Sequence, residues 1–211
     1  MAARGRHAAP ADDGLAARIV ETAIAMAEEE GWDNVRLRRV ADAVGITLAD
    51  LGRHFRDQDA IADAWFGSAR AAMLAPLEPD LAALPPRERL KILIWRWFDA
   101  LAPHREVTVQ MLRTKMWPAH PHHWVPMIFN LSRTIQWLRD AAGLDAGGRR
   151  RQVEEVGLSG LFLATLAVWA RDDTLGQERT RRFLDRRLAH AELLMGVAFG
   201  RRRRRPPPSS A

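Results

Sequence analysis

Basic side chains recur between Arg36 and His54 at spacings that suit contacts with phosphate groups. The candidate contacts lie on two short predicted helices, and they are Arg36, Arg38, Arg39, Thr47, Ala49, Asp50, Arg53 and His54. Guanidinium groups donate paired hydrogen bonds to phosphate oxygens, which makes arginine the side chain of choice for this chemistry. Arg4 and Arg6 form a possible N-terminal arm that reaches a groove. The same residue types also cover solvated helix faces, so both interpretations stay open here.

Three histidines near the middle of the chain raise the question of a metal site. His120, His122 and His123 offer imidazole nitrogens in the stretch WPAHPHHW. Two prolines interrupt this stretch, and no cysteine or carboxylate follows at a familiar ligand spacing. We therefore expect a polar loop and no metal. No nucleophile-base pair, phosphate-binding loop or metal-ligand helix is present, so we expect neither an enzyme nor a cofactor.

The charge of the chain is concentrated at its C-terminal end. The 211 residues carry a formal net charge of +6, and Arg201–Arg205 account for five of those charges. Residues 201–211, RRRRRPPPSSA, are predicted to be a disordered basic tail, because like charges repel and prolines cannot continue a helix. Such a tail suits DNA, RNA or an anionic membrane surface without selecting among them, or it is a solvated run with no partner.

Composition narrows the class of protein. The chain has no cysteine, which excludes disulfides, thiolate metal ligands and a cysteine nucleophile. The first residues, MAARGRHAAPADDG, lack the apolar core of a signal peptide, and no apolar run is long enough for a membrane span. We expect a cytoplasmic protein.

Helical periodicity dominates the chain. Apolar residues from Ile19 to Ala27 recur every three or four positions, and this first helix is expected to stop at Gly31. Prolines and glycines then separate helix-length segments, and no convincing strand alternation occurs. The sequence predicts an all-α protein of about nine helices.

The stretch RRVADAVGITLADLGRHF, residues 38–55, predicts two short helices around Gly45. One apolar face is formed by Leu37, Val40, Ala41 and Val44, and the next by Leu48, Leu51 and Phe55. These faces can pack only on each other and on the first helix, which predicts a three-helix unit of helix-turn-helix type. Residues 48–54 would be the recognition helix. Thr47 and Asp50 also fit a capping box, which gives Asp50 a structural alternative to a contact role.

Residues 31–61 resemble the N-terminal domain of TetR/AcrR-type regulators. The similarity rests on the glycine-aromatic pair Gly31-Trp32, on Val40-Ala41, on Gly45-Ile46 and on His54-Phe55. The resemblance implies a flexible arm at residues 1–14, a DNA-binding domain at residues 15–60 and a helical ligand-binding and dimerisation domain at residues 61–200. It also implies a homodimer formed by the last two helices and a double-stranded DNA operator as partner.

Several positions depart from the pattern of that family. Leu48, Asp50 and Gly52 stand where Lys, Thr and Tyr are common, and Gln58 stands where a phosphate-contacting lysine is expected. Residues 31–58 hold five arginines and four aspartates, so the electrostatic attraction for DNA is weak.

The C-terminal body is rich in flat and deformable side chains that suit an apolar or aromatic ligand. The predicted pocket residues are Trp95, Phe98, Met111, Met116, Trp117, Trp124, Met127, Trp137, Phe162 and Trp169. Core packing explains the same residues equally well. Small and apolar positions on the last two helices predict a dimer interface, formed by Gly157, Gly160, Ala164, Leu184, Leu188, Ala191 and Met195.

A second resemblance concerns the C-terminal part of the body. The stretch FLDRR, Phe183–Arg187, is similar to the TetR-fold lipid-binding accessory proteins of ubiquinone biosynthesis. We expect a transcriptional regulator, and specifically a repressor that an apolar ligand releases from its operator. The alternative is a relative of those accessory proteins, one that binds a lipid or isoprenoid and no longer reads DNA.

Overall fold

The computed structural model describes residues 10–76, 78–115 and 121–200, with side chains from Gly14 onward and, in the last range, from Ile128 onward. The ten α-helices of these residues are α1 (Pro10–Glu30), α2 (Leu37–Val44), α3 (Leu48–His54), α4 (Gln58–Leu74), α5 (Pro79–Ala82), α6 (Pro86–Leu101), α7 (Arg105–Lys115), α8 (Pro121–Ala141), α9 (Gly148–Trp169) and α10 (Glu178–Phe199). Short 3₁₀ turns lie at Trp32–Asn34, Ala102–His104 and Leu175–Gln177. No strand occurs in these ranges, and α5 has only four residues. The predicted all-α fold of about nine helices is confirmed.

Packing divides the chain into two compact units. The first unit comprises residues 1–72 and 96–128, and the second unit comprises residues 73–95 and 129–211. The division passes through α4, α6 and α8, so each of these helices contributes residues to both units.

The core of the first unit is built by α1, α2 and α3 together with parts of α4 and α7. Ile19 and Ala23 of α1, Val40 of α2 and Leu51 of α3 are fully buried in it. Their spacing places one apolar stripe on each helix, as the sequence predicts. Burial of these stripes against one another holds the helix-turn-helix together.

The exposure of Leu48 corrects the sequence-based prediction. Leu48 was assigned to the apolar face of the third helix with Leu51 and Phe55, yet 51% of its surface is exposed. Leu48 is the first residue of α3, directly after the cap residue Thr47. Leu51, one turn later in this short helix, is its fully buried residue.

The packing boundary also differs from the predicted boundary at residue 60. Val107 and Met111 of α7 are buried in the core of the first unit, beside Ile61 and Ala62 of α4. A helix that lies about fifty residues beyond the helix-turn-helix therefore completes its core. The division into functional domains at residue 60 stays a prediction.

The second unit is organised around the packing of α9 against α10. Leu158 and Phe162 of α9 and Leu184 and Leu188 of α10 are buried within the unit. Leu184 and Leu188, predicted for the dimer interface, therefore serve the packing of α10 inside one chain.

Two buried charged side chains, Arg139 and Asp172, bind groups on neighbouring elements of the second unit. On α8, Arg139 is 2% exposed and donates from Nη2 to Glu154 of α9 at 2.9 Å and to the carbonyl oxygen of Leu144 at 3.1 Å. Between α9 and α10, Asp172 accepts hydrogen bonds from the backbone N–H and the hydroxyl of Thr180, at 2.7 and 2.6 Å. Buried charges persist only where such partners compensate for lost hydration.

The carboxyl of Asp172 also accepts from Thr174, so five contributions act on its pKa. Burial is the largest single influence and raises the pKa, but the side-chain and backbone hydrogen bonds from Thr174 and Thr180 outweigh it together and lower the pKa to about 2. Asp172 is therefore fully ionised over the physiological range and orders the entry into α10.

The exposure of Trp137 corrects a second sequence-based prediction. Trp137 was predicted to line an enclosed ligand pocket, but half of its surface is exposed. On α8 the buried side chains are Thr134, Ile135, Leu138 and Arg139, which share one side of the helix. A residue of an α-helix turns by about 100° per position, and Trp137 falls on the opposite side.

Candidate nucleic-acid interface

The turn between α2 and α3 depends on Gly45. This residue adopts a left-handed conformation, with φ 80° and ψ 35°, that side chains with a Cβ rarely adopt. Its N–H donates to the carbonyl oxygen of Ala41 at 3.0 Å, and the N–H of Ile46 donates to the same oxygen at 3.0 Å. These bonds satisfy the end of α2 and reverse the chain into α3, as predicted.

The start of α3 is fixed by a reciprocal capping box. The N–H of Asp50 donates to Oγ1 of Thr47 at 3.1 Å, and the N–H of Thr47 donates to Oδ2 of Asp50 at 3.1 Å. The hydroxyl of Thr47 also donates to that carboxylate, at 2.6 Å. The hydrogen bonds from Thr47, and after them the charge of Arg53, hold the pKa of Asp50 below its usual value. The predicted capping role of Asp50 is confirmed.

The outer face of α3 is open to solvent. Ala49, Gly52 and Arg53 are exposed, Asp50 is partly exposed, and His54 at the end of the helix is half-buried. Arg53 forms an ion pair with Asp50, one turn earlier on the same helix. This contact orients the guanidinium along the helix and cancels part of its charge. Arginine carries five N–H donors, so the pair leaves donors for a further acceptor.

Two other predicted contact residues, Arg36 and Arg39, also have partners within the chain. Arg39 pairs with Glu30 at the end of α1. Arg36 donates to the carbonyl oxygens of Asp33 at 2.7 Å and of Val35 at 3.2 Å. Arg38 is exposed and forms no ion pair with another described residue. Three of the four predicted arginines are thus partly compensated by groups within the chain.

Gln58 shows why one family contact is absent. Gln58 is the first residue of α4, a position where the family resemblance implies a lysine that contacts phosphate. Its amide nitrogen donates instead to the carbonyl oxygen of Trp32 at 2.7 Å. This contact joins the start of α4 to the loop between α1 and α2. A single polar side chain at position 58 gives no sequence signal for such a partner 26 residues away.

Five of the predicted ligand-pocket residues are buried. Phe98 and Met111 lie in the first unit, whereas Trp95, Phe162 and Trp169 are buried in the second. Four other predicted pocket residues fall outside the described side chains, and they are Met116, Trp117, Trp124 and Met127. The side chains of His120, His122 and His123 also fall outside them. Within the described residues, no group of three His, Cys, Asp or Glu is arranged to hold a metal ion.

A groove of about 520 Å³ lies instead within the second unit, between the start of α6 and helices α9 and α10. Its wall is mainly apolar, and its lining includes Leu90, Leu158, Leu161, Leu188, Met195 and Phe199. Arg87 at the groove pairs with Asp185 at 3.2 Å and with Glu192 at 3.5 Å. The volume falls in the range typical of small-molecule sites. None of the predicted pocket residues lines it.

Helices α9 and α10 also expose apolar side chains. Val156 is 75% exposed and Leu163 is 48% exposed on α9, and the small residues Gly157 and Gly160 share that face. A Cβ built at either glycine would meet no atom within 4 Å, so a neighbouring backbone has room to approach. On α10, Leu193, Leu194 and Val197 are exposed. The sequence-based prediction named the glycines and Ala191 but missed these larger residues.

Comparison with solved structures decides the family. A TetR transcriptional regulator from Nitrosomonas europaea ATCC 19718 is 35% identical to this chain, with a TM-score of 0.76, over 86% of this chain and 99% of that one. This chain belongs to the TetR family of transcriptional regulators. A TetR transcriptional regulator from Rhodococcus sp. RHA1 shares the fold, at 18% identity and a TM-score of 0.60, over 85% of this chain and 97% of that one. TetR-family proteins are regulators, so the prediction that the chain is no enzyme is confirmed.

Two further similarities cover smaller parts of this TetR-family chain. The HTH-type transcriptional regulator YerO from Bacillus subtilis (strain 168) is 26% identical over 104 residues, which span 48% of this chain and 36% of that relative. The COQ9 family model matches residues 154–194, the greater part of α9 and of α10. The predicted similarity to accessory proteins of ubiquinone biosynthesis thus has a counterpart in these two helices. No helix of the described ranges is long and apolar enough to cross a membrane.

Proposed function

We propose that this TetR-family chain is a dimeric repressor that binds operator DNA through α3 and is released by an apolar ligand. The observation that carries the proposal is the α2–Gly45–α3 turn, whose second helix is capped, packed by Leu51 and open on its outer face. In helix-turn-helix proteins this second helix enters the major groove, and its outer residues contact base edges. Ala49, Gly52 and Arg53 occupy that position here.

The dimer is supported by the exposed apolar faces of α9 and α10. Side chains such as Val156, Leu163 and Leu194 favour burial against another surface, because contact with water is unfavourable. A second copy of the chain presents the same residues, so a twofold contact can cover both faces at once. A twofold dimer presents two recognition helices to two half-sites of a palindrome.

The ligand site that the structure supports best is the apolar groove between α6, α9 and α10. Its leucines and methionine suit an apolar molecule of moderate size, and the Arg87–Glu192 pair offers polar partners at its edge. A ligand dissociates the repressor only if it binds more tightly to the conformation that does not fit DNA.

A binding titration at controlled salt tests the repressor proposal. The probes are duplexes selected by the purified protein from a random pool, and random duplex of the same length. We expect a preference of at least about a hundredfold for the selected duplex, since specific sites must compete with many genomic ones. Equal affinity for all duplexes would refute the proposal.

A second candidate function has one observation in its favour, the COQ9 match over residues 154–194. These residues supply part of the lining of the apolar groove, including Leu158, Leu188 and Glu192. In this alternative the groove holds a lipid or isoprenoid and the helix-turn-helix keeps its fold without reading DNA. Native mass spectrometry distinguishes the two: a co-purified isoprenoid or phospholipid, together with equal affinity for all duplexes, supports the alternative.

A further inference from the structure

The backbone N–H and the backbone carbonyl of Trp32 each bind a glutamine side chain from a distant helix. Its N–H donates to Oε1 of Gln110 on α7 at 2.7 Å, and its carbonyl oxygen accepts from Nε2 of Gln58 on α4 at 2.7 Å. Trp32 itself is 3% exposed. All three residues belong to the first unit.

The chemistry of these contacts fixes the orientation of both amides. In a glutamine amide the oxygen accepts hydrogen bonds and the nitrogen donates them. Gln110 must therefore present its oxygen to the N–H of Trp32, and Gln58 must present its nitrogen to the carbonyl. The carbonyl oxygen of Trp32 also accepts from the N–H of Val35 at 3.2 Å, which occupies its second lone pair. Both backbone polar groups of the buried residue Trp32 are therefore satisfied.

The connection between α1 and α2 begins at a glycine and continues as one short turn. Gly31 has φ 84° and ψ 147°, a backbone conformation that favours glycine, and it ends α1 abruptly. The 3₁₀ turn that follows has three residues and no side-chain cap. The loop leads into α2 at Leu37, so its position sets where the helix-turn-helix begins.

Helix α7 holds the same loop at a second point. The hydroxyl of Thr114, one turn beyond Gln110, donates to Oδ1 of Asp33 at 2.9 Å. Between these two contacts Met111 is fully buried in the core of the first unit. Helix α7 also binds α4, because Lys115 pairs with Asp59 and with Asp63, the latter at 3.0 Å.

We propose that Gln58 and Gln110 are positioning residues: they fix the connection between α1 and α2 to helices α4 and α7 and thereby set how α2 and α3 are presented to DNA. Neither residue contacts DNA in this arrangement. The effect on operator binding rests on the proposed function, whereas the effect on the loop does not.

The first measurement is amide hydrogen exchange of Trp32 in the full-length protein, followed by NMR. Gln110→Met keeps the length of the side chain and removes the strong acceptor, and we expect exchange of the Trp32 N–H to rise about tenfold or more through local opening. Gln110→Glu keeps an acceptor oxygen and should restore slow exchange. Gln136→Met, on the exposed side of α8, is the matched control and should leave exchange unchanged.

The second measurement is operator affinity as a function of salt, with the duplex selected by the wild-type protein. Gln110→Met and Gln58→Met should each weaken binding by about fivefold or more while the dependence of log affinity on log salt stays unchanged, since no phosphate contact is lost. Gln58→Lys keeps a donor for the carbonyl of Trp32 and should restore part of the affinity with the salt slope of the wild type, whereas a steeper slope would mean that the lysine contacts phosphate instead. A fall in the salt slope for Gln58→Met would show that Gln58 contacts phosphate and would overturn its assignment.

The two measurements test the loop contact and the proposed function independently. Unchanged exchange of Trp32 in Gln110→Met overturns the positioning role whether or not the protein binds DNA. Faster exchange with unaltered operator affinity shows that the loop is held but does not set DNA presentation, which also overturns the proposal. Equal affinity of the wild type for all duplexes defeats the proposed function, and the exchange data still decide whether the glutamines hold the loop.

Discussion

Arg53 and Asp50 form an ion pair on the exposed side of α3, and the same carboxylate caps the helix through Thr47. One side chain thus stabilises the start of the recognition helix and offsets the charge of its principal cation. The structure explains in this way why an acidic residue stands in the middle of a surface proposed to meet DNA.

Removing the charge of Asp50 tests this dual role. Asp50→Asn should strengthen DNA binding and steepen the salt dependence by about 0.9 in log-log slope, which corresponds to one added phosphate contact by Arg53. Thermal stability should fall slightly, because asparagine caps without a charge. Asp57→Asn removes the partner of Arg56 outside α3 and is the matched control. If both variants change the binding of all duplexes equally, Arg53 has no special place in recognition.

The pH dependence of the free energy of unfolding should reveal the ionisation of Asp172. Its folded pKa of about 2 lies below the ordinary value of 3.8, so its ionised form stabilises the fold above pH 4, and this contribution is lost as the pH falls toward 2. Asp172→Asn should lower the free energy of unfolding by about 2 kcal/mol at pH 7, and the difference from wild type should shrink below pH 4. Urea denaturation at fixed protein concentration measures this. The same change at the exposed neighbour Asp173 should have a much smaller effect, and equal effects would contradict the assignment.

Charged substitutions on the exposed face of α9 test the proposed dimer. Leu163→Glu and Val156→Glu should each weaken association by about tenfold or more, because a carboxylate would be buried without a partner. Sedimentation velocity across a concentration series measures the shift toward monomer, and circular dichroism checks the helical content. Leu175→Glu, at a 98% exposed position outside both helices, serves as control. A wild type that is monomeric at all concentrations would refute the interface.

The buried ion pairs of Lys115 predict a strong effect on stability. Lys115 is 4% exposed, and Lys115→Met removes the cation that pairs with Asp59 and Asp63. We expect a loss of about 3 kcal/mol in the free energy of unfolding. Adding Asp59→Asn and Asp63→Asn to that variant should recover part of the loss, since two neutral amides replace two carboxylates that have lost the lysine. No recovery in the triple variant would show that the lysine stabilises by packing alone.

Removing residues 201–211 tests the predicted role of the basic tail. The truncated protein should bind random duplex more weakly and with a shallower salt dependence, because five arginines are lost. Its preference for a selected duplex over random duplex should rise or stay the same. A loss of specific binding would show that the tail contributes to recognition.

Local signals in the sequence predict the helix-turn-helix well. Gly31 and Gly45 mark the ends of α1 and α2, and the Thr47–Asp50 pair marks the start of α3, because caps and turns depend on residues only a few positions apart. The resemblance to TetR/AcrR-type regulators predicts the family, and it is carried by short local pairs such as Gly31-Trp32, Gly45-Ile46 and His54-Phe55.

Contacts between distant residues are where the sequence-based predictions were wrong or silent. Met111 was assigned to a ligand pocket and lies in the core of the first unit, and Gln110 binds a peptide 78 residues earlier. Periodicity indicates which face of a helix is apolar but not which helices cover it. For the same reason the apolar groove between α6, α9 and α10 was missed, although its leucines are plain in the sequence.

The insertion of α7 into the first unit bears on any attempt to transplant the helix-turn-helix. A fragment ending at residue 60 would lack Val107 and Met111, and it would leave the N–H of Trp32 without Gln110. Such a fragment would expose an apolar depression and favour aggregation over independent folding. Chimeras that carry this recognition helix onto another effector domain must therefore include α4 and α7, or refill their places with new side chains. Recombination between relatives is constrained in the same way, because exchange of residues 1–60 alone would separate partners that fold as one structure.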